Sequence, residues 1–178
     1  MKIVALLPMK GTSERVPNKN LKDFNGKPLY HIVLNTLLES KYIDSIVINT
    51  DGEALKSDII SNFKDSVTVI QRDQAICGNY VSMNKIIEHD INKIDADIFI
   101  QTHSTNPLLK IETIDMAIER MLALIETKKN DSVFSVSKTP RVFNSKVNFG
   151  VHLCGRVSDP ILEVVFVAAL TKRGKPHS

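Results

Sequence analysis

The segment Pro8-Met-Lys-Gly-Thr-Ser-Glu-Arg-Val-Pro-Asn-Lys-Asn20 gathers the groups in this chain best suited to holding an anion. Lys10, Arg15 and Lys19 bring three positive charges into ten residues, and Thr12 and Ser13 add hydroxyls. Gly11 permits close backbone approach. Such a loop can wrap phosphates with backbone N–H groups and neutralise them with side chains. A solvated basic loop would have the same composition. The segment is neither GxxxxGK[ST] nor GxGxxG, so the usual nucleotide fingerprints do not apply.

Charge along the chain supports a compact partner. Residues 1–30 hold six basic groups, Lys2, Lys10, Arg15, Lys19, Lys22 and Lys27, against Glu14 and Asp23. The remainder carries 17 basic and 18 acidic residues, so the formal net charge of +3 belongs to one segment. Nucleic-acid binders spread basic residues along a face and interleave aromatic platforms, and neither feature is present. A nucleoside triphosphate suits a local cluster.

Other polar residues stand at the ends of apolar runs. Asp51 follows SIVINT, Gln101 and Thr102 close IFIQT, and Ser82 precedes a helical stretch. Asp51 serves equally well as a turn cap and Ser82 as an N-cap. Gln101 needs partners for its amide wherever it is buried. His103 reads as a loop histidine rather than a general base, and the flanking pair Asp95 and Asp97 as a solvated turn. Cys77 and Cys154 are too far apart and too few for a disulfide framework or a CxxC metal knuckle.

These residues need a scaffold, and the apolar runs supply one. Ile3–Leu7, Ser45–Thr50, Val67–Ile70, Ile98–Thr102 and Ser132–Val136 are short and nearly free of charge, as strands buried on both faces are. Helical periods fill the gaps at 28–40, 53–63, 83–94 and 111–129. Alternating strands and helices predict a parallel sheet with helices on both faces. Ligands bind such sheets at the carboxyl ends of the strands, and the basic loop follows the first strand. The 178 residues, 43% apolar and 24% charged, suit one globular domain. The opening MKIVALLPMKG is too short for a signal peptide or membrane span, so a cytoplasmic protein without membrane contact is expected.

The stretch PMKGTSERVPNKNLKDFNGKPL resembles the opening of the acylneuraminate cytidylyltransferases, whose pattern is close to A-R-G-G-S-K-R-[IL]-P-x-K-N-[LI] followed by GKPL. Asn49-Thr50-Asp51 is similar to the family's S-T-D, Val81-Ser82-Met83 to the serine that opens its nucleotide-facing helix, and the segment 100–109 to its Q-P-T-S-P-L stretch. The resemblance covers roughly residues 2–145. It implies a three-layer α/β/α nucleotidyltransferase (Rossmann-like) fold with a mostly parallel sheet. The implied reaction joins CTP to a 2-keto acid sugar, giving CMP-sugar and pyrophosphate, normally with Mg²⁺. It implies nucleotide contacts at Leu7, Pro8, Lys10, Gly11, Arg15, Lys19, Asn20 and Ser82. Lys19 and Gln101 would act at the reacting centre, and Gln101 with Thr102 would face the sugar. Lys10 stands where the family has Arg, and Glu14 where it has Lys.

After residue 146 the likeness stops. The family's dimerisation excursion, its R-T-Q-D-L-P-P and E-N-G-x-x-Y-I-F segments and its late D-I-D metal pair have no counterpart in 147–178. A nucleotidyltransferase domain over 1–146 and an aberrant or frameshifted tail over 147–178 are therefore expected. The metal ligands stay unassigned, the family homodimer should be weakened, and catalysis should be poor. The apolar run Ile161–Leu170 reads as a sixth strand, a terminal helix or an unanchored tail, and residues 1–145 are expected to supply the ordered sheet. Two rivals stand beside this reading: a cytidylyltransferase for another acid sugar such as 3-deoxy-octulosonate, and a fragment that binds nucleotide without turnover.

Overall fold

The computed structural model describes residues 1–127 and the strand segments 132–138, 149–153, 162–163 and 167–171. Strand β1 (Ile3–Leu6) leads through the basic loop and a single 3-10 turn to a small hairpin, β2 (Asp23–Phe24) and β3 (Lys27–Pro28). Helix α1 (Leu29–Leu38), β4 (Ser45–Thr50), α2 (Glu53–Phe63), β5 (Thr68–Gln71), α3 (Met83–Lys93), β6 (Ile98–Thr102) and α4 (Ile111–Thr127) follow. The remaining strands are β7 (Ser132–Lys138), β8 (Phe149–Leu153), β9 (Leu162–Glu163) and β10 (Val167–Thr171).

The main sheet runs β5-β4-β1-β6-β10-β7-β8, with β9 also paired to β7. Its first four strands are parallel, as the alternating strand–helix order requires. From β10 onward the pairing is antiparallel. The expectation that residues 1–145 supply the whole ordered sheet does not hold, because β10 lies between β6 and β7. Of the three readings of Ile161–Leu170, the strand fits the described residues of that run, which form two pieces, Leu162–Glu163 and the start of Val167–Thr171. A run this apolar, with Glu163 as its one charge, gains most by pairing on both edges. Residues 128–131, 139–148, 154–161, 164–166 and 172–178 lie outside the described residues. The reading of 147–178 as an aberrant tail falls largely on them.

The layers follow from strand alternation, which sends successive side chains to opposite faces. Ile3, Ala5, Leu7, Ile46, Ile48, Ile98 and Ile100 meet Tyr30, Val33, Leu34 and Leu37 of α1, Leu55 and Ile59 of α2, and Ile114, Ala117, Ile118 and Met121 of α4. Val4, Leu6, Val47 and Phe99 face the other way, toward Ile87 and Ile91 of α3. Tyr30 donates to Asp58 at 2.5 Å, and its hydroxyl is pushed up by burial and by that carboxylate. His31 shares the same carboxylate at 2.8 Å, pinning α1 to α2.

The hairpin went unread in the sequence, although its signal is present. Asn25 and Gly26 both take positive φ, 57° and 84°, as a tight two-residue turn demands. The Asp23 carboxylate accepts the Gly26 N–H at 3.0 Å. This hairpin returns the chain from the basic loop to α1.

Candidate active site at the carboxyl ends of the strands

The basic loop is tied down at both ends. At its start, β1 continues as an isolated parallel bridge between Met9 and Thr50, and the Met9 N–H donates to the Asn49 carbonyl at 2.9 Å. The Gly11 N–H donates to Asp51 Oδ1 at 2.7 Å. The close approach that Gly11 permits is to the protein's own backbone: a Cβ there would lie 2.3 Å from the Gly52 Cα. At the far end, Asn20 Nδ2 donates to the Lys10 carbonyl at 3.0 Å, and Asn20 Oδ1 accepts from Ser104 Oγ at 2.8 Å. Asn20 thereby closes the loop on itself and fastens it to the segment after β6.

Between this loop and the segments following β5 and β6 lies an open cleft of about 290 Å³. Pro8, Lys10, Arg15, Lys19 and Asn20 line it from the loop. Asn79 lines it from the segment between β5 and α3, Met83 from the first residue of α3, and His103, Ser104 and Thr105 from the segment after β6. Arg15 is exposed, and Lys10 and Lys19 are half-buried, so all three cations remain accessible to an anion. Glu14, the carboxylate among them, is engaged: Asn79 bridges it to Lys10. His103 is half-buried, and burial together with the positive charge of Lys19 pushes its pKa below the ordinary 6.5.

Of the ten residues that the family resemblance implies at the site, five thus share one cleft and five do not line it. Leu7 is wholly buried in the apolar core. Gly11 is packed against Gly52, and Thr102 is buried within β6. Gln101 is also buried, and its Nε2 donates to the Thr102 carbonyl at 3.0 Å. Ser82 is exposed immediately before Met83; its backbone has N-cap dihedrals, but its hydroxyl makes no capping bond. Asp51, read as either a functional or a turn residue, accepts from the loop and stands 3.8 Å from Arg72.

The sequence reading missed Arg72, Asn79 and Asp90. Arg72 follows the apolar β5 run at the same level of the sheet as Asp51, and a cation at a strand's carboxyl end was a usable signal. Asp90 gave none, since a single Asp on an amphipathic helix ordinarily faces water. Among the described residues no three His, Cys, Asp or Glu side chains gather, and Asp51 and Glu14 already have partners.

A family model described as cytidylyltransferase matches residues 4–152. The 3-deoxy-manno-octulosonate cytidylyltransferase of Francisella tularensis subsp. novicida is 30% identical over 142 residues, 78% of this chain and 54% of that protein. The pseudaminic acid cytidylyltransferase of Campylobacter jejuni is 27% identical over 127 residues, 68% of this chain and 54% of that protein. The chain thus spans about half the length of these relatives. Among solved structures, CMP:2-keto-3-deoxy-manno-octonic acid synthetase complexed with CTP superposes with a TM-score of 0.67 at 16% identity, over 96% of this chain and 74% of that one. The fold is that of the nucleotidyltransferases. With most of its length matched, this chain belongs to the cytidylyltransferase family.

Proposed function

We propose that the cleft binds the triphosphate of CTP and that the protein transfers its cytidylyl group to a hydroxyl of an acid sugar, releasing pyrophosphate. The observation that carries this reading is the convergence of Lys10, Arg15 and Lys19 on one cleft at the strands' carboxyl ends. In such a transfer the sugar oxygen attacks the α-phosphorus in line as the bond to the pyrophosphate oxygen breaks. The protein's part is to hold both reactants and neutralise charge on the departing group. Lys19 and Arg15 are assigned to the β- and γ-phosphates, with Lys10 beside them as a point charge without an arginine's bidentate fork. A divalent cation, Mg²⁺ by the family resemblance, would shield the phosphates when bound.

The two carboxylate-sugar relatives support an acid-sugar acceptor, and their different sugars leave its identity to experiment. A second reading, 3-deoxy-octulosonate as acceptor rather than a sialic-acid-like sugar, is favoured by the 30% identical relative. Pyrophosphate release should be measured with CTP against N-acetylneuraminate, pseudaminate and 3-deoxy-manno-octulosonate in parallel. Release with one sugar alone identifies the acceptor. CTP binding by calorimetry without release would make the chain a nucleotide binder, and no binding would remove the reading altogether. A pocket built for cytosine leaves polar groups unpaired against the other bases, so CTP should bind more tightly than UTP, ATP or GTP.

No nucleic-acid or membrane partner is proposed. None of the described helices is long and apolar enough to cross a membrane. The cytoplasm, where CTP is available, is the proposed location. A homodimer of the family type is retained as a proposal to be tested by the chain's mass in solution.

A further inference from the structure

A neutral side chain reaches across the cleft to the basic loop. Lys10 Nζ donates to Asn79 Oδ1, and Asn79 Nδ2 donates to Glu14 Oε1. The amide uses both of its ends, one on a cation of the loop and one on the loop's carboxylate. Among the described residues Glu14 makes no ion pair with Lys10, Arg15 or Lys19, although all four line the cleft. Asn79 therefore stands between charges that would otherwise meet each other or a ligand.

The segment that carries Asn79 has few other polar ties. Gly78 takes a φ of 116°, which an L side chain rarely adopts, and so turns the chain sharply just before Asn79. No backbone N–H of Gly78–Val81 donates to another described residue. Tyr80 is fully exposed. Both bonds of Asn79 are exposed as well, so water competes for each of them and the bridge opens at little cost. A triphosphate oxygen is a charged acceptor, whereas Asn79 Oδ1 is a neutral one, so an entering polyphosphate draws Lys10 away from the amide. Asn79 then keeps only Glu14, whose charge opposes the incoming anion.

We propose that Asn79 and Glu14 form a latch that occupies Lys10 in the empty cleft, that an entering triphosphate displaces it, and that the two residues thereby lower the cleft's affinity for polyphosphate. This rests on the proposed reading that the cleft binds the triphosphate of CTP. Glu14 stands where the resembled family carries Lys, so the latch sets this loop apart from that pattern. A carboxylate in an anion site weakens the departing pyrophosphate as well as the triphosphate, and a product held less tightly leaves sooner.

The test is calorimetry with CTP, tripolyphosphate and pyrophosphate on the 178-residue chain, Asn79→Ala, Glu14→Gln and the double variant, joined to backbone ¹⁵N relaxation. Each single variant should bind all three ligands roughly three- to tenfold more tightly. The gains should be less than additive in the double variant, since both substitutions undo one bridge. Amide order parameters of Asn79 and Tyr80 should be about 0.85 in the free chain and fall below about 0.6 when tripolyphosphate is bound. Weaker tripolyphosphate binding by Asn79→Ala would mean that Asn79 holds the ligand, and would overturn the proposal. Tightening by Glu14→Gln alone, or fully additive gains, would reduce Glu14 to simple repulsion and overturn it too. So would order parameters that tripolyphosphate leaves unmoved. If the variants bind and the unaltered chain does not, the latch holds the cleft shut and the proposal stands. If neither the chain nor any variant binds CTP or tripolyphosphate, the functional reading fails and the latch fails with it; contrary variant results with CTP still bound remove the latch alone.

Discussion

On the face of the sheet covered by α1, α2 and α4, the side chains that β1, β4 and β6 turn inward are apolar from Ile3, Ile46 and Ile98 to Leu7, Ile48 and Ile100, and only the buried Thr50 and Thr102 at the strand ends are polar. On the α3 face the same strands begin apolar, with Val4, Val47 and Phe99, and change character toward their carboxyl ends. Asn49 there meets Asp90 and Arg72 in place of further aliphatic groups. One face is dry and held by area, and the other gives up part of its apolar burial to hold groups in fixed directions. Burying a charge stabilises little on balance, because desolvation offsets the attraction. A face built this way is better explained by the side-chain directions it fixes beside the cleft.

The comparison is broken most severely on the dry face. Ile118→Ala, at a wholly buried position of α4, should cost about 2–5 kcal/mol in denaturant unfolding. CTP affinity of the folded fraction should be unchanged; a loss of affinity would show that the two faces are not separable.

Gly11→Ala tests the junction between the faces. The added methyl meets the Gly52 backbone, which cannot yield as a side-chain tip would. We expect a loss of roughly 1–3 kcal/mol in stability, the scale of overpacking, together with weakened CTP binding. An unaltered melting temperature would mean that the two backbones separate freely.

Lys19→Ala and Arg15→Ala act on the cleft alone. Each should weaken CTP by roughly 1.5–3 kcal/mol, the scale for one charge-assisted hydrogen bond, with little change in unfolding. Calorimetric affinities equal to that of the unaltered chain in both variants would falsify the phosphate assignment.

The smallest effect belongs to His103. Burial and Lys19 hold its pKa below 6.5, so the unfolded chain takes up this proton before the folded one does. Its contribution therefore lowers stability as pH falls below about 6.5 toward the depressed folded value, and is absent above that window. In His103→Gln, stability should decline less between pH 7 and pH 5. Triphosphate binding offsets the Lys19 charge, so the His103 resonance should titrate at higher pH when CTP is present. An unmoved titration would place the phosphates away from Lys19.

Much of the scaffold was legible because it is written in local periods. The runs at 45–50 and 98–102 coincide with β4 and β6, and the segment 53–63 with α2, since each carries its burial pattern within a few residues. The basic loop was legible for a similar reason: its charges are close in sequence as well as in space. Asn20 reads in the sequence as a nucleotide contact; that its amide also closes the loop is visible only once Lys10 and Ser104 are beside it. Gln101 was singled out as a polar group needing partners, and it has one in the next residue's carbonyl.

By itself, the sequence determined the strand–helix order, the parallel half of the sheet and the position of a cationic loop at its carboxyl edge, because alternation and local charge are properties of neighbouring residues. The tertiary structure alone decided that Val167–Thr171 enters the sheet between β6 and β7, and that Asn49, Arg72 and Asp90 form one buried chain. Those outcomes depend on contacts between residues 23 to 73 positions apart, whose pairing follows from how the layers pack and leaves no periodic trace in the chain.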